Sequence, residues 1–511
     1  MADQGSAKAR YEKLSKDRSQ FLQRARHNAL LTIPSLMPLD GQSGRSHLVE
    51  PYQGVGSRAI VHLSSRMLVG LIPAGRPYMR LDLPPELKME HGGEVPVEIT
   101  KGLALSEQLV QAEVEAKAWR QSTLMSLQQL MMAGNAVEFM QDDNTIRVYR
   151  LDQFVVRRDH HGRVLELIIM EKFPKDATPL GMTPPSSIGM RDKDEEVELY
   201  TTVKLVPEVN RTFYRRTQEW GSGEKAGDSA TWPVNEVPYL VLRWSATPGE
   251  DYGRSKVEEH IADLRSLDAL EKAQLEMAAM ASRNFIVVRP GANAAGLKRR
   301  LTQAVNGDVV TGDPDGIELK SFDNAGGYQI TASQVQVLRE SLSSAFLLMS
   351  GAQRDAERVT ATEIERDIQE LEAALGGTFS TLSQEMMEVR TRILIQNMKA
   401  QGKLPQFPDG AVVPTILTGL EALSRERDVS RAMQAAEIAN AFGETAVDSI
   451  KLDRILSRAY IGLGFPDAVR TEAEAQQFRQ QRQQAEMLAQ GAAGAIPQIA
   501  KGAMEQGANN G

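Results

Sequence analysis

The amino-acid sequence predicts an α+β fold that is mainly helical. Apolar residues recur at three- and four-residue spacing over long stretches, above all over 255–282, 331–349 and 360–401, and this is the period of an amphipathic helix. Between residues 136 and 244 the period changes to alternation, which is typical of half-buried strands. The chain has 511 residues, of which 41% are hydrophobic, so it is long enough to bury a large core.

Three helices are predicted in the region that precedes the strands. The first covers 9–30, the second runs from about residue 56 to Pro73, and the third spans 98–134. Proline ends the second helix because it cannot continue the backbone hydrogen bonds. The pair Gly134-Asn135 closes the third helix, since glycine just past the last turn is a common end signal.

The alternating region predicts a mixed β domain of modest size. Its expected strands lie at 137–139, 146–148, 154–156, 164–169, 197–206, 210–216 and 238–244. The string Asp159-His-His-Gly162 stands between two of them and predicts a hairpin tip rather than a metal site. Residues 174–196 are rich in proline, glycine and acidic residues and predict a long connection, and a second loop is expected at 221–229.

The second half of the chain predicts two long helices that flank an insert. The first helix covers 255–282 and would be about 40 Å long, the insert spans 284–328, and the second helix covers 331–349. Because the insert must leave and return at nearby points, an antiparallel helical pair that carries a small α/β cap is the simplest arrangement. A pair of this length cannot bury its apolar side alone and needs either other segments or further copies of the chain.

Further copies that make repeated head-to-tail contacts would close into a ring. The helix over 254–281 has four basic and six acidic residues, a net of 4 − 6 = −2. Around a ring such helices could line an acidic bore that lets a polyanion pass, since strong binding needs Lys and Arg at the phosphates. A solvated helix face explains the same charges, and both interpretations stay open.

After the second helix the sequence predicts a polar loop at 351–358 and then a helix to about residue 401. Gly376 and Gly377 interrupt this helix and predict a kink. Shorter helices are expected over 415–465, followed by a Gln/Ala-rich helix and a tail.

Sites for chemistry are conspicuously missing from the sequence. It has no cysteine, no G-x-x-x-x-G-K-[ST] loop for a nucleotide, and seven scattered histidines without a ligand spacing. We therefore predict no catalytic, cofactor-binding or metal-binding residues. The net charge of −8 argues against coating nucleic acid by bulk charge, and no apolar run approaches the roughly 18–20 residues that span a bilayer, so we expect no membrane contact.

Strings in the same order over residues 8–465 connect the chain to a known family. They include Leu31-Thr-Ile-Pro-Ser-Leu36, Tyr78-Met-Arg-Leu81, Ala133-Gly-Asn135, Tyr149-Arg-Leu151, Tyr252-Gly-Arg-Ser255, Glu357-Arg-Val-Thr-Ala361 and Leu375-Gly-Gly377. In these strings the chain resembles the portal, or head-to-tail connector, proteins of short-tailed double-stranded DNA phages. The resemblance implies a ring of about twelve subunits at one capsid vertex, made in the cytoplasm of the bacterial host and found in the virion.

The resemblance also implies a division of the protomer into named parts. The expected parts are an N-terminal helical wing (1–135), a mixed β wing region (136–252), a first stem helix (253–283), an α/β clip (284–328), a second stem helix (329–350), a tunnel loop (351–358), a long kinked wing helix (359–402), a helical crown (403–465) and a helical extension with a tail (466–511).

Roles for individual residues follow from the same resemblance. Gln353, Arg354 and Arg358 of the tunnel loop could touch the DNA backbone without sequence specificity, or the arginines could pair with Asp355 and Glu357. The basic triplet Lys298, Arg299 and Arg300 of the clip could meet an acidic partner, DNA or a neighbouring subunit.

The implied partners are copies of the chain, double-stranded DNA in the channel, the terminase, the tail adaptor, and capsid and scaffolding proteins. The implied function is a structural, non-enzymatic channel for packaging and ejecting the genome. Two alternatives stay open at this point. One is a packaging-associated ATPase or nuclease, which the missing motifs disfavour, and the other is a scaffold or adaptor without a pore.

Overall fold

A computed structural model of the chain describes most of it. The described residues are 6–42, 47–73, 77–84, 97–174, 177–179, 182, 196–208, 211–281, 284–288, 294–303, 317–321, 325–348, 373–375, 377–405, 413–416, 434–435, 437, 455–457, 460, 468–470 and 474–485.

The main elements alternate between helical and β regions in the order that the sequence predicts. The helices are α1 (Ala7–Leu30), α2 (Val55–Leu71), α3 (Val97–Ala116), α4 (Trp119–Ala133), α5 (Lys256–Glu259), α6 (Ile261–Ala281), α7 (Ala294–Gln303), α8 (Ala325–Ala345), α9 (Thr378–Leu382) and α10 (Val389–Ala400). The strands are β1 (Met79–Asp82), β2 (Asn135–Met140), β3 (Ile146–Tyr149), β4 (Phe154–Arg158), β5 (Val164–Pro174), β6 (Glu196–Pro207), β7 (Thr212–Trp220), β8 (Ala230–Pro233), β9 (Tyr239–Arg243), β10 (Asn284–Val288), β11 (Ile317–Ser321) and β12 (Val413–Ile416).

The chain forms two compact units. The first contains Met1–Val69, Arg120–Gln141 and Ile146–Arg358. The second contains Gly70–Trp119, Asp142–Thr145 and Val359–Gly511. Among the described residues, no helix has the length and apolar character that crossing a membrane requires.

The first unit is built on an antiparallel five-stranded sheet with the order β4-β5-β6-β7-β8. Helix α1 packs on this sheet, with Tyr11 and Leu14 against Ile168 and Tyr200. The buried Arg18 of the same helix donates from Nη1 to the carbonyl oxygens of Leu151, Asp152 and Phe154, at 2.7–3.1 Å. A buried cation is thus satisfied by backbone oxygens, as burial of a charge requires.

Two smaller sheets complete the first unit. The antiparallel order β3-β2-β9 forms one, and the ribbon β10-β11 forms the other. The turn Asp159-His-His-Gly162 joins β4 to β5, with the N–H of Gly162 bonded to the carbonyl of Asp159 at 2.9 Å. The predicted hairpin tip is therefore confirmed.

The second unit contains α3, α9, α10 and the ribbon β1-β12. Asn144 lies at its centre, fully buried with φ +68°. Its carbonyl accepts the indole N–H of Trp119 at 2.9 Å, and its amide joins Glu113 at 2.9 Å and Asn397 at 3.1 Å. Lys403 lies 3.1 Å from Glu113 and, after Asn144, helps to lower the pKa of that carboxyl. A single asparagine therefore links α3, α10 and the first residue of α4.

The structure corrects two of the predicted helices and contains strands that the sequence did not predict. The helix expected over 98–134 is two helices, because Ala118 takes the left-handed φ of +52°. The helix expected over 255–282 is interrupted at His260. Strand β8 was not predicted, because only four residues pair there. Short helices were expected over 415–465, but residues 413–416 form a strand. The sequence did not indicate this strand because its partner β1 is distant along the chain.

Candidate functional site

The helix pair α6–α8 and the elements at its two ends form the candidate site. Helices α6 and α8 pack on each other, and Arg339 of α8 contacts Glu271 of α6, with its Nη2 at 3.0 Å from Oε1. At the far end Asn284 pairs with Ser321 across the β10-β11 ribbon. The insert therefore leaves and returns at neighbouring points, as the sequence predicts.

Burial within the pair is confined to one half. Leu264 and Leu267 of α6 and Val335 and Leu342 of α8 are buried. Towards the insert, the described side chains over 270–280 and 327–334 are exposed or partly exposed. Large apolar side chains are among the exposed ones: Leu275 (58%), Met280 (51%), Tyr328 (49%) and Ile330 (68%). This half of the helix pair therefore exposes apolar surface that nothing in the described part of the protomer covers.

At the other end of the pair, two glycines bring two backbone segments of the first unit into close contact. A Cβ on Gly134 would lie 2.7 Å from the carbonyl oxygen of Gly253, and a Cβ on Gly253 would lie 2.7 Å from the carbonyl oxygen of Gly134. Asn135 accepts from the N–H of Gly253 at 2.7 Å and donates to its carbonyl at 3.0 Å. Asn28 donates to Ser255 Oγ at 2.9 Å, and Ser255 caps α5. We call these five residues the clasp.

Charged groups reinforce the clasp. Arg254 pairs with Glu250 and, at 2.8 Å, with Glu258, and its guanidinium lies 5.5 Å from the ring of Phe21. Hydrogen bonds to these two carboxylates raise the pKa of Arg254 above its usual value. Arg24 also reaches Glu258, at 3.3 Å. The start of the helix pair is thus held to α1 by an ion-pair network.

The acidic residues over 254–281 are mostly engaged within the chain. Glu258 pairs with Arg254, Glu259 with Lys256 and Glu271 with Arg339. Asp268 accepts from the backbone N–H groups of Tyr52 and Gln53 at 2.7 and 3.2 Å. The sequence offered an acidic bore or a solvated face. The contacts assign most of these carboxylates to intrachain partners, so net charge alone does not describe the helix.

Histidines near the helix pair sit beside cations. His27 Nε2 lies 2.8 Å from Arg265 Nη2, and burial together with Arg265 lowers the pKa of His27. His260 lies at the break between α5 and α6, with its ring at 5.3 Å from the ring of Phe346. Burial, and then Lys256, lower the pKa of His260. The surroundings of both rings therefore disfavour the protonated form, which is the direction of their pKa shifts.

The basic triplet of the insert lies on α7. Lys298, Arg299 and Arg300 are all exposed, and Arg300 Nε donates to the carbonyl of Gly296 at 3.2 Å. None of the three has a carboxylate partner within the described part of the chain. An exposed cationic face of this kind can receive an anionic surface.

The other predicted site residues are only partly covered by the structure. Gln353, Arg354, Arg358 and Gly376 lie outside the described residues. Gly377 takes φ +86° and directly precedes α9, so the described helix starts anew at that glycine. A π-helical turn over Ser383–Glu388, which the sequence did not predict, joins α9 to α10.

Comparison with known proteins assigns the chain to a family. A family model described as bacteriophage head to tail connecting protein matches residues 4–470. The chain belongs to this family. The portal protein of Escherichia phage T7 is 34% identical over 444 residues, covering 84% of this chain and 81% of that protein. The portal protein of Enterobacteria phage SP6 is 27% identical over 511 residues, covering 97% and 96% of the two chains.

Membership of the head to tail connecting family confirms the resemblance found in the sequence and gives the chain a structural, portal-type role. Among solved structures, the neck of an empty gene transfer agent particle computed with C6 symmetry aligns with 74% of this chain and 86% of that one, at 12% identity. Its TM-score of 0.36 is too low to add to the assignment.

The sequence did not predict the clasp. Both of its glycine strings, Ala133-Gly-Asn135 and Tyr252-Gly-Arg-Ser255, carried the resemblance, but nothing in them indicated that they touch. One glycine-containing string ends a helix and the other precedes one. Glycines of this kind indicate close backbone approach only when the two strings are known to lie together in the fold.

Proposed function

We propose that copies of this connector assemble side by side into a ring of about twelve around an open channel. In this proposal the α6–α8 pair forms the stem, the insert 284–328 the clip, residues 1–252 with 359–402 the wing, 351–358 the tunnel loop, 403–465 the crown, and 466–511 a helical extension with a tail. Family membership and the names of the portal relatives support it.

The observation that carries the proposal is the exposed apolar surface on the insert-side half of the helix pair. Leu275 of α6 and Ile330 of α8 stand more than half exposed there. Full burial of such a side chain stabilises by about 1.5–3 kcal/mol. Neighbouring copies would supply that burial, and repetition of one heterologous contact around an axis closes a ring.

Double-stranded DNA is the proposed cargo of the channel, in packaging and in ejection, and it passes without sequence specificity. Gln353, Arg354 and Arg358 are the proposed backbone contacts in the tunnel loop. The exposed triplet Lys298, Arg299 and Arg300 is the proposed contact of the clip with the terminase and then the tail adaptor at the capsid vertex. Capsid and scaffolding proteins would contact the wing. The chain acts as a structural component rather than an enzyme, which its lack of a nucleotide-binding loop supports.

Native mass measurement with negative-stain imaging tests the ring. The wild-type chain should form a closed particle of about twelve subunits with a central hole. Leu275→Ser combined with Ile330→Ser should shift the population to smaller species, because each side chain loses the burial that a neighbour provides. Ala278→Ser combined with Gln329→Ser is the matched control, since both positions are exposed on the same helices. A wild-type monomer, or a particle without a hole, would contradict the proposal.

A further inference from the structure

A groove lies at one end of the hairpin formed by β6 and β7. It encloses about 740 Å³ and is lined by residues of the hairpin end and of the edge strand β8, including Arg211, Phe213, Arg215, Thr231, Trp232 and Pro233. This volume falls in the usual range of binding pockets, about 300–1,000 Å³. The mix of aromatic walls and arginines gives the groove both an apolar and a cationic character.

The arginines of the groove have no carboxylate partner in the described part of the chain. Arg211 and Arg215 are exposed. The guanidinium of Arg215 lies 5.3 Å from the ring of Phe213. Stacked guanidinium groups are held in a fixed plane and lose little freedom on binding a carboxylate.

Some cations elsewhere on the sheet, or on the helix α1 that packs on it, are paired with carboxylates. Arg10 contacts Glu166 at 2.7 Å, and Lys8 and Lys172 contact Glu198 at 3.0 and 3.5 Å. Glu208 is the one acidic residue among those that line the groove. On a chain with a net charge of −8, this local excess of positive charge points to an anionic partner supplied from outside the protomer.

The opposite end of the same hairpin is acidic. Strand β6 begins at the exposed Glu196, and the sequence places Asp192, Asp194 and Glu195 just before it. We call residues 192–196 the acidic segment. Eleven residue steps along β6 separate Glu196 from Pro207, which is about 36 Å at the rise of a strand. Residue 192 is joined to Glu196 by four residue steps, or at most about 14 Å of chain. The acidic segment therefore cannot reach the groove of its own protomer.

We propose that the groove binds the acidic segment of a neighbouring copy. The inference rests on the proposed ring, and it names one contact within it: the two ends of one hairpin carry complementary charges, as a head-to-tail contact between identical chains requires. Carboxylates of the segment would bind Arg211 and Arg215, which present the fork geometry that suits them. Duplex DNA fits less well, because tight binding needs many neutralised phosphates and Glu208 would repel them.

The first experiment measures binding of a labelled synthetic peptide that covers residues 188–198. Its receptor is the full chain with Asp192→Asn, Asp194→Asn, Glu195→Gln and Glu196→Gln, in which the competing segment is neutral. The peptide should bind, and binding should weaken at about 1 M salt, where the Debye length is about 3 Å. Arg211→Glu with Arg215→Glu should raise Kd at least about fivefold, since two attractive charge pairs become repulsive.

The matched control is Arg157→Glu with Arg163→Glu, two exposed arginines elsewhere on the sheet, which should leave Kd unchanged. A peptide with amides in place of all its carboxylates should not bind. Equal affinity of the peptide for the groove variant and the control variant would overturn the proposal. Arginine-dependent binding of a short DNA duplex, without binding of the peptide, would overturn it as well and assign the groove to DNA.

The second experiment separates this contact from the ring itself. Arg211→Glu with Arg215→Glu should make the particle dissociate at lower urea than the control variant does. Asp192→Lys with Asp194→Lys should do the same, and the combination of both pairs should restore the wild-type midpoint. If the wild-type chain forms a ring and none of these substitutions changes the urea midpoint of its dissociation, the groove contact is refuted while the proposed ring is not. A wild-type monomer refutes the ring, and the peptide assay then decides the groove alone.

Discussion

Replacing Gly134 by alanine should destabilise the first unit far more than the same change at an open glycine. Gly134 has φ +77°, a left-handed conformation. A Cβ there would also meet the backbone of Gly253, Arg254 and Ser255 at 2.7–2.8 Å, closer than real Cβ contacts come. All three neighbours are backbone atoms, which cannot turn away as a side chain would. The backbone of Gly253 is held by Asn135, and the N–H of Arg254 donates to the carbonyl of Ser245 at 2.9 Å.

The magnitude has two parts that a control variant separates. An alanine in the left-handed region costs roughly 1–2 kcal/mol. Overpacking against a fixed backbone adds about 1–3 kcal/mol, so Gly134→Ala should lose about 2–5 kcal/mol of unfolding free energy. Gly223 has φ +86° and no heavy atom within 4 Å of a built Cβ. Gly223→Ala should therefore show the conformational part alone.

Urea unfolding followed by tryptophan fluorescence measures both variants. Trp244 reports on the clasp, because its side chain is buried and its backbone N–H donates to the carbonyl of Gly134 at 2.9 Å. The midpoint of Gly134→Ala should fall clearly below that of Gly223→Ala at an unchanged slope. Coincident midpoints for the two variants would refute the argument that the close backbone of Gly253 leaves no room for a side chain at position 134.

Two further predictions concern the histidines and Asn144. Burial, and then a neighbouring cation, lowers the pKa of His27 (Arg265), His62 (Arg66) and His260 (Lys256). Histidine in the unfolded chain therefore binds a proton more readily than it does in the fold. The stability that the neutral rings contribute is present above about pH 6.5 and is lost as pH falls through the lowered pKa values. Thermal melting from pH 7.5 downward should show this loss, with a shallower slope for His27→Gln; an unchanged slope would contradict it. Asn144→Ala should cost about 2–4 kcal/mol in urea unfolding, because it leaves Glu113 without its amide donor and puts alanine at φ +68°. Asn144→Gly, which tolerates that φ, should cost less, and equal losses would show that backbone conformation plays no part.

Periodicity predicted most of the long elements, because their stability depends on local apolar spacing. Helix α1 was expected over 9–30 and covers Ala7–Leu30, and the strand expected over 197–206 covers Glu196–Pro207. The failures are places where distant contacts decide. Strand β12 exists because it pairs with β1, more than 300 residues earlier, and the break at Ala118 precedes Trp119, whose indole is bonded to Asn144. No local pattern carries that information.

Residue roles were harder to predict than elements, for a reason that the clasp makes plain. The strings that identified the family contain Gly134, Asn135, Gly253 and Ser255, and the structure puts these residues together to hold the helix pair. Each glycine there is fixed by the space that the other backbone occupies, so its identity follows from the fold. Lys298, Arg299 and Arg300 on α7, like Arg211 and Arg215 in the groove, are exposed and have no carboxylate partner in the described part of the chain. Because the proposed roles of these cations involve partners outside the protomer, we expect charge reversal to change the assembled particle more than the stability of the single chain.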